Sequence, residues 1–408
     1  MSDPRTFVIV GASLAGAKAA EALRNAGFEG QVVLIGEETH RPYERLPLSK
    51  NYLLDTAGRD KIYIHAEDWY DKHNIDLRLG TTVTAIHRDA HEVELSDGSR
   101  QHYDKLLLAT GAVVRRLPNT DQDGVFYLRR LEDFHRLDEV FSRHGRVVSI
   151  GGGWLGLEAT AVARQRGCPV TMIEPGPRPL SRRFEPEIGD LFADLHRSHG
   201  VDVRLGVGLD EVRPGPIVVT KAGDEIAADA VIVGVGIIPA TELAEAAGLE
   251  VVNGIRVTAE LQTTRDPDIY AAGACMNADH PLYGRPLRNE YWANALNGGA
   301  AAARSMLGQG EPYDRVPYFY SEQYDLRVEF SGWFEPGKAD VVYRGELASR
   351  EFIAFWLDTE SRVLAGMNAN VGDVTDPIQK MVRSRRGIDR TRLADPTVPL
   401  EDLIPTGD

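Results

Sequence analysis

Two stretches of the chain share one pattern of apolar and polar positions. In each, a short apolar strand is followed by a glycine-rich turn, an alanine-rich helix and a second apolar strand. The first stretch covers residues 8–38 and the second covers residues 146–174. Continuous apolar strands are typical of parallel sheets buried on both faces, and apolar residues at helical spacing predict the helix between them. The pattern therefore predicts two βαβ units and an α/β fold.

The first turn has small residues where nucleotide-binding βαβ units need them. Gly11 permits the tight turn, Gly16 lets the helix approach the strand closely, and Ser13 leaves room for a pyrophosphate. The amide groups of the helix N-terminus would bind that anion. Glu37 or Glu38, about 20 residues further on, can accept hydrogen bonds from ribose hydroxyls, and we favour Glu37.

The second turn has the full G-x-G-x-x-G pattern at Gly151, Gly153 and Gly156. Its second strand ends on Glu174, which would accept hydrogen bonds from a free ribose diol and would repel a 2′-phosphate. This site is therefore expected to prefer NADH over NADPH. Three basic residues follow Glu174 and could instead bind the 2′-phosphate of NADPH: Arg178, Arg182 and Arg183. Their alternative interpretation is a loop of ordinary solvated side chains.

Further apolar runs extend the α/β pattern as far as about residue 317. Residues 83–95 predict a strand and hairpin, and residues 105–109 predict a strand that ends at Thr110-Gly111, where the backbone can approach a ligand. Residues 229–236 and 266–273 predict two more strands that end on glycine, and residues 291–307 predict a helix of small residues.

The character of the chain changes after residue 317. Successive antiparallel strands are predicted within residues 329–368, and a basic helix or loop is predicted at residues 377–392. This part would form a separate α+β domain. A chain of 408 residues also exceeds one ordinary hydrophobic core, so two or three domains are expected.

Composition limits the possible chemistry. The two cysteines, Cys168 and Cys275, lie far apart and show no metal-ligand spacing, so no metal site is expected and electron chemistry must belong to a bound cofactor. The net charge of −15 argues against a nucleic-acid partner. No apolar run approaches the roughly 18 residues of a membrane span, and the first residues lack signal-peptide features, so we expect a cytoplasmic protein with no membrane partner.

With these features placed, the chain resembles, nearly end to end, the NADH-dependent flavoprotein reductases that supply ferredoxins in bacterial oxygenase and cytochrome P450 systems. The motifs that carry the resemblance are VIVGASLAG, RPYERLPLSK, LLLATG, GGGWLGLEAT, GVGIIPATELAEAAGL, DPDIYAAG, YFYSEQYDLR and RLADPTVPLEDLI. It implies two Rossmann-like domains of the glutathione-reductase type plus a C-terminal α+β domain. The FAD domain would comprise residues 1–114 and 244–318, the NADH domain residues 115–243, and the C-terminal domain residues 319–408.

The same resemblance implies FAD on the first fingerprint and NADH on the second. A hydride would pass from NADH to the flavin, and single electrons would then pass to a [2Fe-2S] ferredoxin. Lys50 and Glu158 match family positions near the flavin and the nicotinamide, where a lysine can stabilise negative charge and a carboxylate can orient its neighbours. The alternative interpretation of these two residues is an ordinary ion pair.

The positions expected to bind the cofactors follow from the fingerprints and the resemblance together. They are Gly11, Ser13, Leu14, Ala15, Gly16, Glu37, Arg45, Lys50, Val83, Ala109, Thr110, Gly111, Gly273, Ala274, Glu290, Trp292, Ala293, Tyr320, Gly151, Gly153, Trp154, Leu155, Gly156, Glu158, Glu174 and Gly236.

Three residues around the expected flavin site depart from the family pattern. Leu46 stands where the family tends to have proline, and Tyr320 stands where it commonly has tryptophan. Ala274 stands where the family usually has an aspartate that binds a ribityl hydroxyl. Loss of that charge-assisted hydrogen bond predicts FAD binding about tenfold to a hundredfold weaker.

A basic run in the C-terminal domain is the candidate surface for a small acidic ferredoxin, with Arg383, Arg385 and Arg386 at its centre. An ordinary solvated face is the alternative. Two other functions are alternatives to the reductase. Disulfide or peroxide reductases share both fingerprints but need a reactive cysteine near the flavin. A redox-regulated interaction protein, related to apoptosis-inducing factor, would bind FAD and NAD without rapid electron transfer to a ferredoxin.

Overall fold

The computed structural model describes residues 3–50, 52–54 and 59–404. The chain divides into two compact units, each assembled from three separate segments. The first unit comprises Met1–Glu44, Asp60–Val113 and Ile237–Pro317, and the second comprises Arg45–Arg59, Val114–Gly236 and Tyr318–Asp408. Each unit contains one of the two βαβ units, so the α/β class is confirmed. The finer division into three domains stays a prediction.

A nine-stranded sheet forms the core of the first unit. Its strand Thr6–Val10 lies between Gln31–Ile35 and Lys105–Leu108 and is parallel to both. Four of its five residues are buried, as expected for a central strand of a sheet that is covered on both faces. In spatial order the strands are Arg285–Leu287, Met276–His280, Ile255–Val257, Gln262–Thr263, Asp266–Ala271, Lys105–Leu108, Thr6–Val10, Gln31–Ile35 and Ile75–Arg78. A smaller antiparallel sheet contains Val83–His87, Glu92–Leu95 and Arg100–His102.

The helices of the first unit are Leu14–Asn25, Trp69–Lys72, Glu242–Ala246 and Trp292–Met306. The first and last of these helices pack closely against each other. A Cβ atom built on Gly299 would lie 2.0 Å from the carbonyl oxygen of Ala15, so only glycine permits this approach. The contact holds the N-terminal turn of helix Leu14–Asn25 in place beside the sheet.

The second unit contains a parallel sheet with the spatial order Asp202–Leu205, Val170–Glu174, Val147–Ile150, Ala230–Val233 and Val125–Phe126. Its helices are Leu131–Ser142, Trp154–Gln165 and Pro186–Ser198. A three-stranded antiparallel sheet follows, formed by Leu209–Arg213, Ile217–Thr220 and Glu225–Ala227. All residues of Val147–Ile150 are buried, which explains the continuous apolar run at this strand.

The C-terminal part of the second unit is an antiparallel sheet with the spatial order Tyr318–Gln323, Leu326–Gly332, Val363–Ala369, Glu351–Leu357 and Asp340–Glu346. Helices Thr375–Ser384 and Arg390–Ala394 follow it. The strands expected within residues 329–368 are present, and Tyr318–Gln323 is an additional strand that the sequence pattern did not predict.

Several short elements complete the described structure. Two strands, Ala112–Val114 and Ile237–Pro239, lie where the chain passes between the units. Single 3₁₀ turns are formed by Leu46–Ser49, Arg59–Ile62, Arg88–Ala90, Gly273–Cys275, Leu347–Ser349 and Leu400–Leu403. Within the ranges described, no helix combines the length and apolar character that crossing a membrane requires.

Candidate functional site

The two glycine-rich turns have the same backbone geometry. Gly11 and Gly151 adopt φ values of +117° and +105°, in the region that favours glycine. A Cβ atom on Gly16 would lie 2.0 Å from the Gly11 carbonyl oxygen, and a Cβ atom on Gly156 would lie 2.0 Å from the Gly151 oxygen. Both helices can therefore meet their strands closely only because these positions are glycine.

The helices that follow these turns begin without side-chain caps. In the described structure Ser13 forms no capping hydrogen bond to its helix, and Gly153 has no side chain to form one. The first amide groups of each helix therefore remain directed at the turn, where the positive end of the helix dipole lies. This donor set fits the pyrophosphate groups of two dinucleotides.

The acidic residues after the two turns differ in their surroundings. Glu37 is exposed just beyond strand Gln31–Ile35, and its neighbour Glu38 accepts a hydrogen bond of 2.6 Å from the Tyr43 hydroxyl. In the second unit, Glu174 accepts hydrogen bonds of 2.6 Å from the amide groups of Gly152 and Gly176. These two bonds hold the Glu174 carboxylate directly beside its glycine turn.

Two of the three arginines that follow Glu174 are engaged elsewhere. Arg178 Nε donates to Asp190 Oδ1 at 2.7 Å. Arg183 Nη1 donates to the Phe334 carbonyl oxygen at 3.0 Å, and its guanidinium group lies 4.6 Å from the centre of the Phe334 ring. Arg182 is exposed. The surroundings of Arg178 and Arg183 therefore weaken the case for a 2′-phosphate pocket built from these residues.

Lys50 and Glu158 form an ion pair inside the second unit, with only 4% and 6% of their surfaces exposed. Lys50 Nζ donates to Glu158 Oε1. The Ser321 hydroxyl donates to the same oxygen at 2.6 Å, and the Ser49 hydroxyl donates to Oε2 at 2.7 Å. The Tyr320 ring centre lies 5.2 Å from Lys50 Nζ. Buried charges are tolerated when they are paired and hydrogen-bonded in this way.

Further polar side chains extend this group. Gln323 Nε2 donates to Ser321 Oγ at 3.1 Å, and Gln323 Oε1 lies 3.0 Å from His196 Nε2. Burial lowers the pKa of His196 to about 4. Sequence reasoning missed Ser49, His196, Ser321 and Gln323. Ser321 and Gln323 could have been found because they are polar residues two positions apart in one strand, so their side chains lie on the same face. That face is directed to the interior.

The remaining residues expected to bind FAD fall in both units. Within the first unit, Val83, Ala109 and Gly273 are buried and Ala293 is half-buried. Thr110 Oγ1 donates to the Ala240 carbonyl oxygen at 2.7 Å, while Gly111 follows it.

Two other expected residues of the first unit also have polar contacts. Trp292 Nε1 donates to Glu44 Oε2 at 3.2 Å, and Glu290 accepts from Arg288. Ala274 is half-buried in the turn Gly273–Cys275.

The second unit holds Arg45 and the residues expected to bind NADH. Arg45 donates to the Arg129 carbonyl oxygen. Trp154 packs edge-to-face on three phenylalanine rings, Phe184, Phe192 and Phe319. Leu155 is half-buried, and Gly236 has a φ of +103° with open space where a Cβ atom would stand.

The basic run lies on helix Thr375–Ser384 and the residues that follow it. Lys380 pairs with Asp376 at 2.7 Å and Arg390 pairs with Asp340 at 3.0 Å. Arg383, Arg385 and Arg386 are exposed at the end of helix Thr375–Ser384.

Both cysteines are fully buried, and burial raises the pKa of each thiol. The Cys275 thiol lies 3.4 Å from the Leu108 carbonyl oxygen and 3.3 Å from that of Ala272. A reactive thiol needs a lowered pKa and access to its substrate, so neither cysteine suits disulfide or peroxide chemistry. Across the described ranges, no group of His, Cys, Asp or Glu residues is arranged to hold a metal ion.

Comparison with known proteins agrees with these features. The family model described as pyridine nucleotide-disulphide oxidoreductase matches residues 5–299, and that described as reductase C-terminal matches residues 318–404. The chain is 40% identical to the ferredoxin–NAD(+) reductase component of the anthranilate 1,2-dioxygenase system of Burkholderia cepacia, over 99% of this chain and 100% of the relative. It is 37% identical to putidaredoxin reductase of Pseudomonas putida, over 99% and 98% of the two chains.

A solved structure supports the same relationship. The covalent complex of putidaredoxin reductase with putidaredoxin contains a chain that matches with a TM-score of 0.94 and 36% identity, over 98% of both chains. The protein therefore belongs to the pyridine nucleotide-disulphide oxidoreductase family. Within it, its relatives are the NADH-dependent ferredoxin reductases, and the resemblance inferred from the motifs is confirmed. It is a flavoprotein oxidoreductase, and its cofactors are FAD and NADH.

Proposed function

We propose that this flavoprotein takes electrons from NADH and delivers them singly to a [2Fe-2S] ferredoxin that supplies an oxygenase or cytochrome P450. The observation that carries the proposal is the presence of two glycine-rich turns of the same geometry in a chain whose two cysteines are both fully buried. Without an accessible thiol to receive them, electrons must leave from the cofactor itself. Bound FAD accepts two electrons from NADH and releases them one at a time, as an iron–sulfur acceptor requires.

In this proposal the first turn binds the FAD pyrophosphate through the amide groups of Leu14, Ala15 and Gly16. Glu37 accepts hydrogen bonds from the adenosine ribose. The turn at Gly273 and Ala274, together with Ala109, Thr110 and Gly111, provides backbone close to the rest of the cofactor. The support for this assignment is the uncapped helix and the match of these motifs to the family.

The second turn binds NADH by the same means, through the amide groups of Trp154, Leu155 and Gly156. Glu174 accepts hydrogen bonds from the ribose diol, and its bonds to the amide groups of Gly152 and Gly176 keep the carboxylate in place beside the turn. The same negative charge disfavours the 2′-phosphate of NADPH.

Lys50 and Glu158 are our candidates for the residues that act beside the reacting rings. Lys50 supplies positive charge that stabilises negative charge on the flavin, and Glu158 keeps that ammonium group in place while presenting a carboxylate oxygen to the nicotinamide carboxamide. Their burial makes these electrostatic effects stronger than at the protein surface.

We assign ferredoxin docking to the exposed cluster formed by Arg383, Arg385 and Arg386. A cluster of positive charge on a protein of net charge −15 would orient an approaching acidic partner. We also propose a cytoplasmic location, because NADH is a cytoplasmic metabolite.

The central experiment is an anaerobic titration. The purified protein, reconstituted with FAD, is titrated with NADH or NADPH while the flavin absorbance is recorded, and a [2Fe-2S] ferredoxin is then added. We expect NADH to bleach the flavin preferentially and the ferredoxin to become reduced. A protein that binds no flavin in excess FAD, or that bleaches without reducing any ferredoxin tested, would contradict the proposal.

The docking assignment has its own test. Replacing Arg383, Arg385 and Arg386 together by glutamine should raise the KM for ferredoxin about tenfold at low salt and leave flavin reduction by NADH unchanged. Replacing Arg136, Arg143 and Arg146 together by glutamine is the matched control, because these three arginines are also exposed in the second unit and their loss changes the net charge equally. An equal effect of both replacements would mean that net charge alone, and not this cluster, attracts the ferredoxin.

A further inference from the structure

A line of buried hydrogen bonds leads from Glu158 through the second unit. Ser321 Oγ lies 2.6 Å from Glu158 Oε1 and 3.1 Å from Gln323 Nε2. Gln323 Oε1 lies 3.0 Å from His196 Nε2, and the Tyr324 hydroxyl lies 3.4 Å from His196 Nδ1. Ser321 and Gln323 are each 1% exposed, and His196 is not exposed at all. The proposed function uses Glu158 and leaves the other residues without a role.

The chemistry of these groups gives the line a direction. An amide nitrogen only donates, so Ser321 Oγ accepts from Gln323 and its single hydrogen is directed to Glu158. An amide oxygen only accepts, so His196 donates to Gln323 from Nε2. The other ring nitrogen, Nδ1, then accepts from the Tyr324 hydroxyl.

Nδ1 of His196 can accept from the Tyr324 hydroxyl only if the ring is neutral. Burial of this side chain disfavours the charged form and lowers its pKa to about 4. At neutral pH the ring therefore carries one proton, and the position of that proton decides which nitrogen donates.

The hydrogen bonds between His196, Gln323 and Ser321 could also run in the opposite direction, but Glu158 would then receive fewer hydrogen bonds. With the proton of His196 on Nδ1, Nε2 would accept from the Gln323 amide nitrogen. The amide oxygen of Gln323 would then face Ser321 and take its hydrogen. Glu158 would lose one of the three donors that the structure gives it, from Lys50, Ser49 and Ser321. A carboxylate can only accept, so its charge favours the order in which the Ser321 hydroxyl donates to it.

We propose that Ser321, Gln323 and His196 are positioning residues, whose ordered hydrogen bonds aim the Ser321 hydroxyl at Glu158 and thereby hold its carboxylate directed to Lys50. The inference rests on the proposed function in one respect, because it takes Glu158 as part of the site that binds the nicotinamide. It adds that the orientation of Glu158 is set by side chains from helix Pro186–Ser198 and strand Tyr318–Gln323.

The first test is spectroscopic and needs no turnover. In protein labelled with ¹⁵N-histidine, the two ring nitrogens of His196 have distinct chemical shifts that identify the protonated one. We expect the neutral form with its proton on Nε2 throughout the range from pH 6 to pH 8. An ordinary histidine, with a pKa of roughly 6.5, would change its charge within this range. A proton on Nδ1, or a charged ring in this range, would overturn the proposal.

The second test measures coupling between Ser321 and Glu158. The dissociation constant of NAD⁺ is measured on the FAD-loaded protein by its effect on the flavin spectrum, for Ser321→Ala, Glu158→Gln and the double variant. Ser321→Ala should weaken NAD⁺ binding about tenfold, as expected for loss of a hydrogen bond to a charged group. In the Glu158→Gln protein the same replacement should have little further effect, because it acts through the carboxylate.

The outcomes separate this inference from the proposed function. If Glu158→Gln leaves both NAD⁺ binding and flavin reduction unchanged, the role proposed for Glu158 itself is wrong. If Glu158→Gln impairs them but Ser321→Ala is silent, or has the same effect with and without Glu158, the positioning role alone is overturned. Gln323→Met, which keeps the volume and removes the amide, provides a second variant and should weaken NAD⁺ binding about threefold.

Discussion

The two glycine turns are alike in backbone and unlike in the side chains around them. At Gly16 and Gly156 the same 2.0 Å separates a hypothetical Cβ atom from a carbonyl oxygen. The following acids differ, because Glu174 is held by two amide groups whereas Glu37 is exposed beyond its strand. If both turns bind dinucleotides as proposed, their shared backbone would provide the anion site, and the side chains beyond each turn would decide which dinucleotide binds and how tightly.

The largest expected effect tests what the turns have in common. Gly16→Ala and Gly156→Ala should each lower the free energy of unfolding by at least about 3 kcal/mol, because the added methyl group overlaps a backbone oxygen. Chemical denaturation measures this loss. Gly153→Ala is the control and should cost less than about 1 kcal/mol, since the nearest atom lies 3.8 Å away. Tolerance of alanine at only one of the two positions would show that the turns differ in packing as well.

The next effect concerns Ala274, which is expected to bind the same FAD molecule as the first glycine turn. Ala274→Asp should tighten FAD binding about tenfold to a hundredfold, because a carboxylate at this position would add a charge-assisted hydrogen bond to a ribityl hydroxyl. Fluorescence titration of the apoprotein with FAD measures the gain. Ala274→Asn supplies the same shape without the charge and should gain less. Equal affinity in all three proteins would mean that other contacts already bind that hydroxyl.

A smaller effect is expected at the acid of the second turn. Glu174→Ala removes the ribose acceptor and the repulsion of a 2′-phosphate, so the preference for NADH over NADPH, measured as the ratio of kcat/KM values, should fall about tenfold. Glu37→Ala should leave this ratio unchanged. If Glu37→Ala alters the ratio as much as Glu174→Ala, the assignment of one dinucleotide to each turn is wrong.

The smallest effect concerns the middle residue of each turn. Ser13→Gly and Gly153→Ser exchange the two side chains, and neither should change cofactor affinity more than about threefold, because Ser13 makes no cap within the described structure and Gly153 is exposed. The dissociation constants of FAD and NAD⁺ report the result. A larger loss in Gly153→Ser would mean that NADH approaches this backbone more closely than FAD approaches Ser13.

The local part of the fold is predictable from the sequence. Strand Thr6–Val10 and helix Leu14–Asn25 are marked by an apolar run, a glycine turn and small residues at helical spacing, all within a short stretch. Strand Tyr318–Gln323 lacks such a signal. Its buried positions include Ser321 and Gln323, so the usual alternation of apolar and polar residues is absent.

The candidate site is only partly predictable for a related reason. Lys50 and Glu158 are 108 positions apart, and nothing near either residue indicates the other. Resemblance to a family suggested both as site residues. The polar side chains that are linked to this ion pair through hydrogen bonds, such as His196, become visible only when the fold brings separate segments together.

The buried cysteines make this protein convenient to label. Maleimide reagents attack exposed thiolates, whereas Cys168 and Cys275 are fully enclosed and their thiols have raised pKa values. A cysteine introduced in place of Arg383 would therefore be the one thiol that reacts in the native state. A fluorophore or a bifunctional linker attached there would report the approach of a ferredoxin directly, with both natural cysteines left in place.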